Sequence, residues 1–185
     1  MQHGCDGFEF DVRLAADGQA VICHDATVGG MKIEKTDSRS LLLPTLEDVL
    51  RQFAQRAFLD IELKVVGLER QTIAGLRKYP PQKGYVISSF LPDVLTAFHE
   101  LDPAIPLGFL CETRERLRGW PESPAEWVIP QFELADQALV ETVHAAGKKI
   151  MVWTVNRAEA MREFKEWGVD AIISDETELL VRSLR

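Results

Sequence analysis

Acidic residues recur at every second position in two segments of the chain, a spacing that suits the binding of a metal ion. In residues 8–13, charged residues alternate with apolar ones, so an extended strand would carry Glu9 and Asp11 on one face. Residues 58–65 alternate in the same way and place Glu62 on the polar face. Three carboxylates offer the oxygen ligands that Mg²⁺ or Ca²⁺ prefers. The sequence therefore predicts a divalent-cation site at these acids; the alternative is that they form the polar side of half-exposed strands.

A tight turn is indicated between the first of these segments and the apolar run that follows it. Asp17 and Gly18 form a strong hairpin signal, and residues 20–23 would return beside the first strand. That return would bring His24 close to the first two carboxylates. The alternative is that His24 is an ordinary histidine of a surface loop.

Three further side chains are candidates for contact with a ligand. Lys64 shares its strand face with Glu62 and could bind a phosphate oxygen, or it could be a solvated charge at a strand end. Trp153 and Phe90 could form walls of a ligand site, or they could fill the interior of the fold. Ser88 has no histidine and acid positioned around it in the sequence, which argues against a serine nucleophile.

Strand and helix patterns alternate after the hairpin, which favours a parallel sheet built from successive strand–helix units. The clearest helix begins at Thr45, where Thr45 and Asp48 form a capping-box pattern ahead of apolar residues at helical spacing. Asp136 and Asp175 are predicted to cap two later helices.

The strand count points to one particular α/β architecture. We count seven parallel strands plus the returning hairpin arm, whereas a full (β/α) barrel has eight strands and typically about 250 residues. The expected fold is a TIM-type (β/α) barrel that lacks its first strand and helix, formed as one domain by residues 1–185. Functional residues of such a barrel gather at the C-terminal ends of its strands.

Composition excludes several classes of function. The 185 residues are 46% hydrophobic, and 21 basic against 29 acidic residues give a net charge of −8. This balance argues against nucleic acid as a partner. No apolar stretch approaches the length of a membrane span, and residues 1–20 show no basic segment followed by an apolar one. We therefore expect a cytoplasmic enzyme-like domain.

A series of motifs in order resembles the glycerophosphodiester phosphodiesterase family over nearly the whole chain. The motifs are GCDGFEFDVR at 4–13, Asp17-Gly18, His24-Asp25, PTLEDVL at 44–50, Glu62-Leu63-Lys64, Ser88-Ser89-Phe90, WTVN at 153–156 and GVDAIISD at 168–175.

This resemblance implies an activity in lipid metabolism, the metal-dependent hydrolysis of a small glycerophosphodiester to an alcohol and glycerol 3-phosphate. In that family a metal polarises the phosphodiester, and two histidines act as general base and general acid. A neighbouring glycerol hydroxyl is the expected attacking group. The resemblance assigns His24 to one of these catalytic positions. It assigns substrate contact to Lys64, Trp153 and Phe90.

Two departures from the family pattern bear on activity. The family's first strand carries His-Arg-Gly, followed by Pro-Glu-Asn and a helix, and this sequence contains neither motif. The family's loop after His-Asp usually carries an arginine, and residues 25–30 contain none. We therefore expect impaired hydrolysis, and the alternative is a catalytically inactive shortened barrel that acts as a binding or remnant protein. The loss of the first strand would leave the Glu9 strand and the Ile172 strand each without a neighbour, which favours a homodimer. The alternative is that these two edges close on each other as a seven-stranded barrel.

Overall fold

The computed structural model describes residues 3–185, which form two compact units. The N-terminal unit is Gly7–Ile105, and the C-terminal unit is Pro106–Arg185 together with residues 3–6.

In the N-terminal unit, the strands of the main sheet lie in the order β6-β5-β1-β2. Strands β1, β5 and β6 are parallel, β2 is antiparallel to β1, and β3 and β4 form a separate antiparallel pair. The strands are β1 (Gly7–Leu14), β2 (Ala20–Ile22), β3 (Thr27–Val28), β4 (Met31–Lys32), β5 (Phe58–Leu63) and β6 (Tyr85–Ser89). The helices are α1 (Ser38–Leu41), α2 (Leu46–Phe53), α3 (Glu69–Lys78) and α4 (Pro92–Leu101), with a 3₁₀ turn at Ile33–Lys35.

The C-terminal unit repeats the strand–helix alternation, with four strands in the order β7-β8-β9-β10. Its pairs β7–β8, β8–β9 and β9–β10 are all parallel. The strands are β7 (Leu107–Cys111), β8 (Trp127–Pro130), β9 (Lys149–Val152) and β10 (Ala171–Ile172). The helices are α5 (Arg114–Leu117), α6 (Gln137–Ala145), α7 (Ala158–Trp167) and α8 (Thr177–Leu184), with 3₁₀ turns at Trp120–Glu122 and Phe132–Leu134.

Strands β1 and β5 bury their apolar side chains, and the register between the two strands determines which polar side chains lie next to each other. Phe10 and Val12 of β1 are buried, as are Leu59, Ile61 and Leu63 of β5. Since side chains alternate along a strand, the polar residues between them share the opposite face. The Cα partners across the two strands include Glu9 with Asp60 and Asp11 with Glu62.

Gly7 allows the two strands to come together at their N-terminal ends. A Cβ atom at this position would lie 2.3 Å from the carbonyl oxygen of Phe58, its Cα partner on β5. Any residue with a Cβ atom would therefore push the two strands apart, two residues before Glu9.

Two of the predicted helix caps are confirmed and one is wrong. Thr45 and Asp48 form the reciprocal capping box at the start of α2, and the Asp136 carboxylate accepts a hydrogen bond from Leu139 N at 2.8 Å. Asp175 does not cap α8, whose N-cap is Glu176, without a side-chain hydrogen bond. The Asp175 carboxylate instead accepts a hydrogen bond from Asn156 Nδ2 at 2.9 Å.

The α/β fold class predicted from the sequence is confirmed. Among residues 3–185, seven strands have parallel partners, and β2 is the predicted antiparallel arm. Within residues 3–185, no helix has both the length and the apolar character needed to cross a membrane.

Candidate active site

Three carboxylates converge on the polar face shared by β1 and β5. Glu9, Asp11 and Glu62 each offer one oxygen, and these three oxygens all lie within 4.8 Å of one another. We call these residues the acid cluster. The convergence follows from the register, because Asp11 and Glu62 are direct partners and Glu9 lies two residues earlier on the same face.

The ammonium group of Lys64 lies against the acid cluster. Lys64 Nζ is 2.5 Å from Glu62 Oε1 and 3.2 Å from Asp11 Oδ1, and the centroid of the Phe90 ring is 5.6 Å away. Burial by itself would lower the pKa of Lys64, but the contacts with Glu62 and Asp11 outweigh it and raise this pKa above its usual value. Lys64 is therefore the internal counter-ion of the acids, and Phe90 covers it on one side.

Burial and mutual repulsion perturb the acids themselves. Burial, with added repulsion from Asp11, Asp60 and Glu62, raises the pKa of Glu9 to about 8. The pKa of Glu62 is also raised, chiefly by burial, although Lys64 and His24 act in the opposite direction. The cluster therefore resists full ionisation unless further positive charge is supplied.

His24 follows β2 and lies within electrostatic reach of the acid cluster, since it acts on the pKa of Glu62. The hairpin holds this region through a hydrogen bond from Cys23 N to the carbonyl oxygen of Asp11, at 3.0 Å. The His24 side chain is 75% exposed, and its Nδ1 lies 2.8 Å from Asp25 Oδ1. The imidazole is thus open to solvent, and a carboxylate lies beside one of its nitrogens.

Sequence reasoning missed the role of Arg13 in this arrangement. Its Nε and Nη2 atoms donate hydrogen bonds to the carbonyl oxygen of His24, at 3.0 and 2.7 Å. The alternation of β1 placed Arg13 on the face of Glu9 and Asp11, but its target depends on the path of the loop after β2. The guanidinium group ties that loop back to β1.

Sequence reasoning also missed Asp60 and Ser88. Asp60 is 2% exposed and shares the polar face of β5 with Glu62, and Ser88 Oγ donates a hydrogen bond to Asp60 Oδ1 at 2.5 Å. The alternation in residues 58–65 was the available signal for Asp60. Its complete burial could not be read from that pattern.

Trp153 belongs to the C-terminal unit, apart from the other candidates, which all lie in the N-terminal unit. It follows β9 directly, it is half-buried, and its indole N–H donates a hydrogen bond to the carbonyl oxygen of Ile129 at 3.0 Å. Its contact with a ligand stays a prediction.

The residues present fit a hard divalent cation. The donors are carboxylate oxygens, the type that Mg²⁺ and Ca²⁺ prefer. Among residues 3–185, no group donates a hydrogen bond to the buried atom Glu9 Oε1. A buried carboxylate oxygen without a donor is stabilised by a metal ion.

The chain is therefore an α/β protein with a candidate cation site on its strands. Its parallel strands carry the clustered acids, and a lysine and a histidine lie beside them. Comparison with known proteins shows to which family of α/β proteins the chain belongs. Residues 31–179 match the model of the glycerophosphoryl diester phosphodiesterase family. The chain is 30% identical to a glycerophosphodiester phosphodiesterase of Caldanaerobacter subterraneus, over all of this chain and 88% of that protein.

Solved structures agree with the family match. An Oleispira antarctica phosphodiesterase, in complex with the product sn-glycerol-3-phosphate, superposes with a TM-score of 0.86 at 26% identity, covering 99% of this chain and 86% of that one. A glycerophosphodiester phosphodiesterase from Thermotoga maritima gives a TM-score of 0.82 at 25% identity, covering 100% and 87%. The chain belongs to the glycerophosphoryl diester phosphodiesterase family, and the predicted (β/α) barrel type of fold is confirmed.

Proposed function

We propose that this chain is a divalent-cation-dependent hydrolase that cleaves a glycerophosphodiester into an alcohol and sn-glycerol 3-phosphate. The convergence of three carboxylate oxygens within 4.8 Å, beside Lys64, is the observation that carries this proposal. The product in the Oleispira antarctica complex supports the substrate class.

Each residue of the site has a role in this proposal. Glu9, Asp11 and Glu62 hold Mg²⁺ or Ca²⁺, which when bound polarises the phosphodiester and neutralises charge on it. Lys64 binds a phosphate oxygen as a charged donor. His24 moves a proton to or from a reacting oxygen, and Asp25 beside Nδ1 orients the ring.

Two aromatic residues complete the proposed substrate site. Phe90 forms a wall beside Lys64, since its ring already lies against the ammonium group. Trp153 forms a second wall, as the family resemblance implies.

We also infer that the 185-residue chain turns over its substrate slowly. The family resemblance requires a second histidine in a His-Arg-Gly motif and an arginine after His-Asp, and this sequence has neither. Removing one general acid or base usually lowers a rate by about 10²- to 10⁴-fold.

Hydrolysis by the purified chain tests both inferences. Glycerophosphodiesters with choline, ethanolamine and glycerol head groups are incubated with Mg²⁺, Ca²⁺ or EDTA, and glycerol 3-phosphate is measured by a coupled dehydrogenase assay. We expect weak cation-dependent release. His24→Ala should remove it, whereas His99→Ala, a change at an exposed histidine on α4, should leave it unchanged.

The outcomes separate the alternatives. Release that persists in EDTA would contradict the cation requirement, and rapid release would contradict the slow turnover. Cation binding without any hydrolysis would favour the catalytically inactive binding protein.

We further propose that the chain works as a homodimer in the cytoplasm. A strand edge within the N-terminal unit supports association: β2 pairs with β1 only over Val12, Arg13 and Leu14. Cell fractionation tests the location.

A further inference from the structure

Arg13 is a half-buried cation whose hydrogen bonds all go to one neutral acceptor. Its Nε and Nη2 atoms both donate to the backbone carbonyl oxygen of His24, at 3.0 and 2.7 Å. Among residues 3–185, Arg13 makes no ion pair and no other hydrogen bond. Because a partly buried charge without a partner is unfavourable, the two bonds to His24 are the interaction that the fold gives this charge.

The backbone of His24 has no other anchor of this kind. His24 lies in the loop between β2 and β3. The loop is held before it by a hydrogen bond from Cys23 N to the carbonyl oxygen of Asp11, at 3.0 Å, and after it by one from Ile33 N to the carbonyl oxygen of Ala26, at 3.0 Å. In the described part of the chain, no backbone–backbone hydrogen bond involves His24 itself. The guanidinium group therefore fixes this residue.

The alternation of β1 directs Arg13 toward the acids. Arg13 lies two residues after Asp11 and four after Glu9, so the three side chains share one face of the strand. The planar guanidinium group presents its N–H donors in a rigid fork, which fixes the direction of a contact as well as its length. One side chain of defined geometry thus connects His24 to the strand that carries two members of the acid cluster.

We propose that Arg13 is the positioning residue of His24, whose imidazole it holds in place relative to the acid cluster. The inference rests on the proposed function, since it concerns the histidine that moves a proton there. Proton transfer requires the imidazole to lie within hydrogen-bond reach of the reacting oxygen. Loss of this anchor should therefore slow the chemical step without weakening substrate binding.

A direct contact with substrate is the rival role for Arg13. The residue also lines a cavity of about 160 Å³, together with Lys32 and Glu34. A guanidinium group in a cavity could bind an anionic part of the substrate. The two roles differ in their kinetics, because a lost binding contact raises KM, whereas a misplaced proton-transfer group lowers kcat.

Hydrolysis kinetics separate these roles, with the glycerophosphodiester that the parent chain cleaves fastest as substrate. Arg13→Ala should lower kcat by about 10- to 100-fold and change KM by less than about twofold. Arg13→Lys keeps the charge and one donor but loses the fork, so its kcat should lie between those of Arg13→Ala and the parent. Arg70→Ala, at an exposed arginine on α3, is the matched control and should change neither constant. A raised KM with unchanged kcat in Arg13→Ala would overturn the proposal.

Backbone ¹⁵N relaxation gives a readout that does not depend on activity. In the parent, the amide order parameter of His24 should be about 0.85, the value of a rigid backbone, and in Arg13→Ala it should fall below about 0.6. The order parameters of β5 should not change. A purely structural Arg13 would lower the midpoint of thermal unfolding when changed, but would leave both kcat and the order at His24 as they are in the parent.

The results also distinguish this inference from the proposed function. If the parent hydrolyses its substrate and Arg13→Ala keeps either the kcat or the order parameter of the parent, the role of Arg13 is wrong and the proposed function stands. If the parent hydrolyses no substrate, the proposed function is wrong, and the order parameters alone decide whether Arg13 holds His24. If Arg13→Ala does not fold, Arg13→Lys decides in its place, since parent-like kcat and order in that variant would contradict the need for the fork.

Discussion

Glu62 has two contacts that matter for the proposed function. Its carboxylate belongs to the acid cluster and also lies 2.5 Å from Lys64 Nζ. Glu62→Gln keeps the size of the side chain and removes its charge. We expect this variant to lose cation binding at millimolar concentrations, since it removes one of three charged oxygen ligands and leaves Lys64 beside Asp11. Calorimetry with Mg²⁺ and Ca²⁺ measures the loss. Parent-like affinity in Glu62→Gln would remove Glu62 from the site.

The raised pKa of Glu9 makes the stability of the metal-free protein depend on pH. Its ordinary pKa is 4.5, and in the folded protein it is about 8. Between these values the folded state binds more protons than the unfolded state, so the free energy of unfolding falls as pH rises. The slope is at most about 1.4 kcal/mol per pH unit for each such group.

Urea unfolding in EDTA at pH 5, 6, 7 and 8 measures this dependence. The parent should be most stable at pH 5, and Glu9→Gln should show a shallower profile. A flat profile for the parent would show that Glu9 titrates in the folded protein as it does in the unfolded chain.

Much of the candidate site follows from the alternation of charged and apolar residues. That pattern places Glu9, Asp11 and Glu62 on strand faces that the register then brings together. It could not identify the target of Arg13, because the contact with His24 depends on a loop without periodic structure. It could not show that Asp60 is fully buried, because burial depends on the elements packed above the strand.

At the scale of the elements, the capping box of α2 offers a direct stability test. Thr45 Oγ1 accepts a hydrogen bond from Asp48 N at 3.1 Å, and Asp48 Oδ2 accepts one from Thr45 N at 3.1 Å. Thr45→Ala should lower the free energy of unfolding by about 1 kcal/mol, because it leaves a helix N–H without its partner. Urea unfolding at fixed pH measures the change.

Thr45→Ser is the matched control for this substitution, since it keeps the hydroxyl group. It should retain most of the stability, and neither variant should alter cation binding. Equal stability of the alanine and serine variants would show that the cap contributes nothing measurable.

The helices also show where local patterns fail. A cap can be predicted when its partners lie within four residues, as for Thr45 and Asp136. Asp175 satisfies the same local pattern, but Asn156, 19 residues earlier, donates a hydrogen bond to its carboxylate. That competing contact is set by the tertiary fold and leaves no trace near Asp175 in the sequence.

At the scale of the whole molecule, we predict association of two chains. Within the N-terminal unit, the described strands pair with β1 on both sides only at Val12, because β5 pairs with residues 7–12 and β2 with residues 12–14. Unpaired strand edges favour association, and two-fold contacts are the commonest form. We expect sedimentation velocity to show a dimer at chain concentrations from about 1 to 100 micromolar, because interfaces of standard size associate in this range. A monomer across this range would contradict the edge argument.

The division into two units has a spectroscopic consequence. All four tryptophans, Trp120, Trp127, Trp153 and Trp167, belong to the C-terminal unit, whereas the acid cluster lies in the N-terminal unit with both tyrosines. Tryptophan emission therefore reports the unfolding of the unit that does not hold the cluster. If the chain is the single domain expected from its sequence, Ca²⁺ should raise the emission midpoint as much as it raises the calorimetric one, because a ligand stabilises everything that unfolds with its site. If the units unfold independently, the emission midpoint will stay where it was in EDTA.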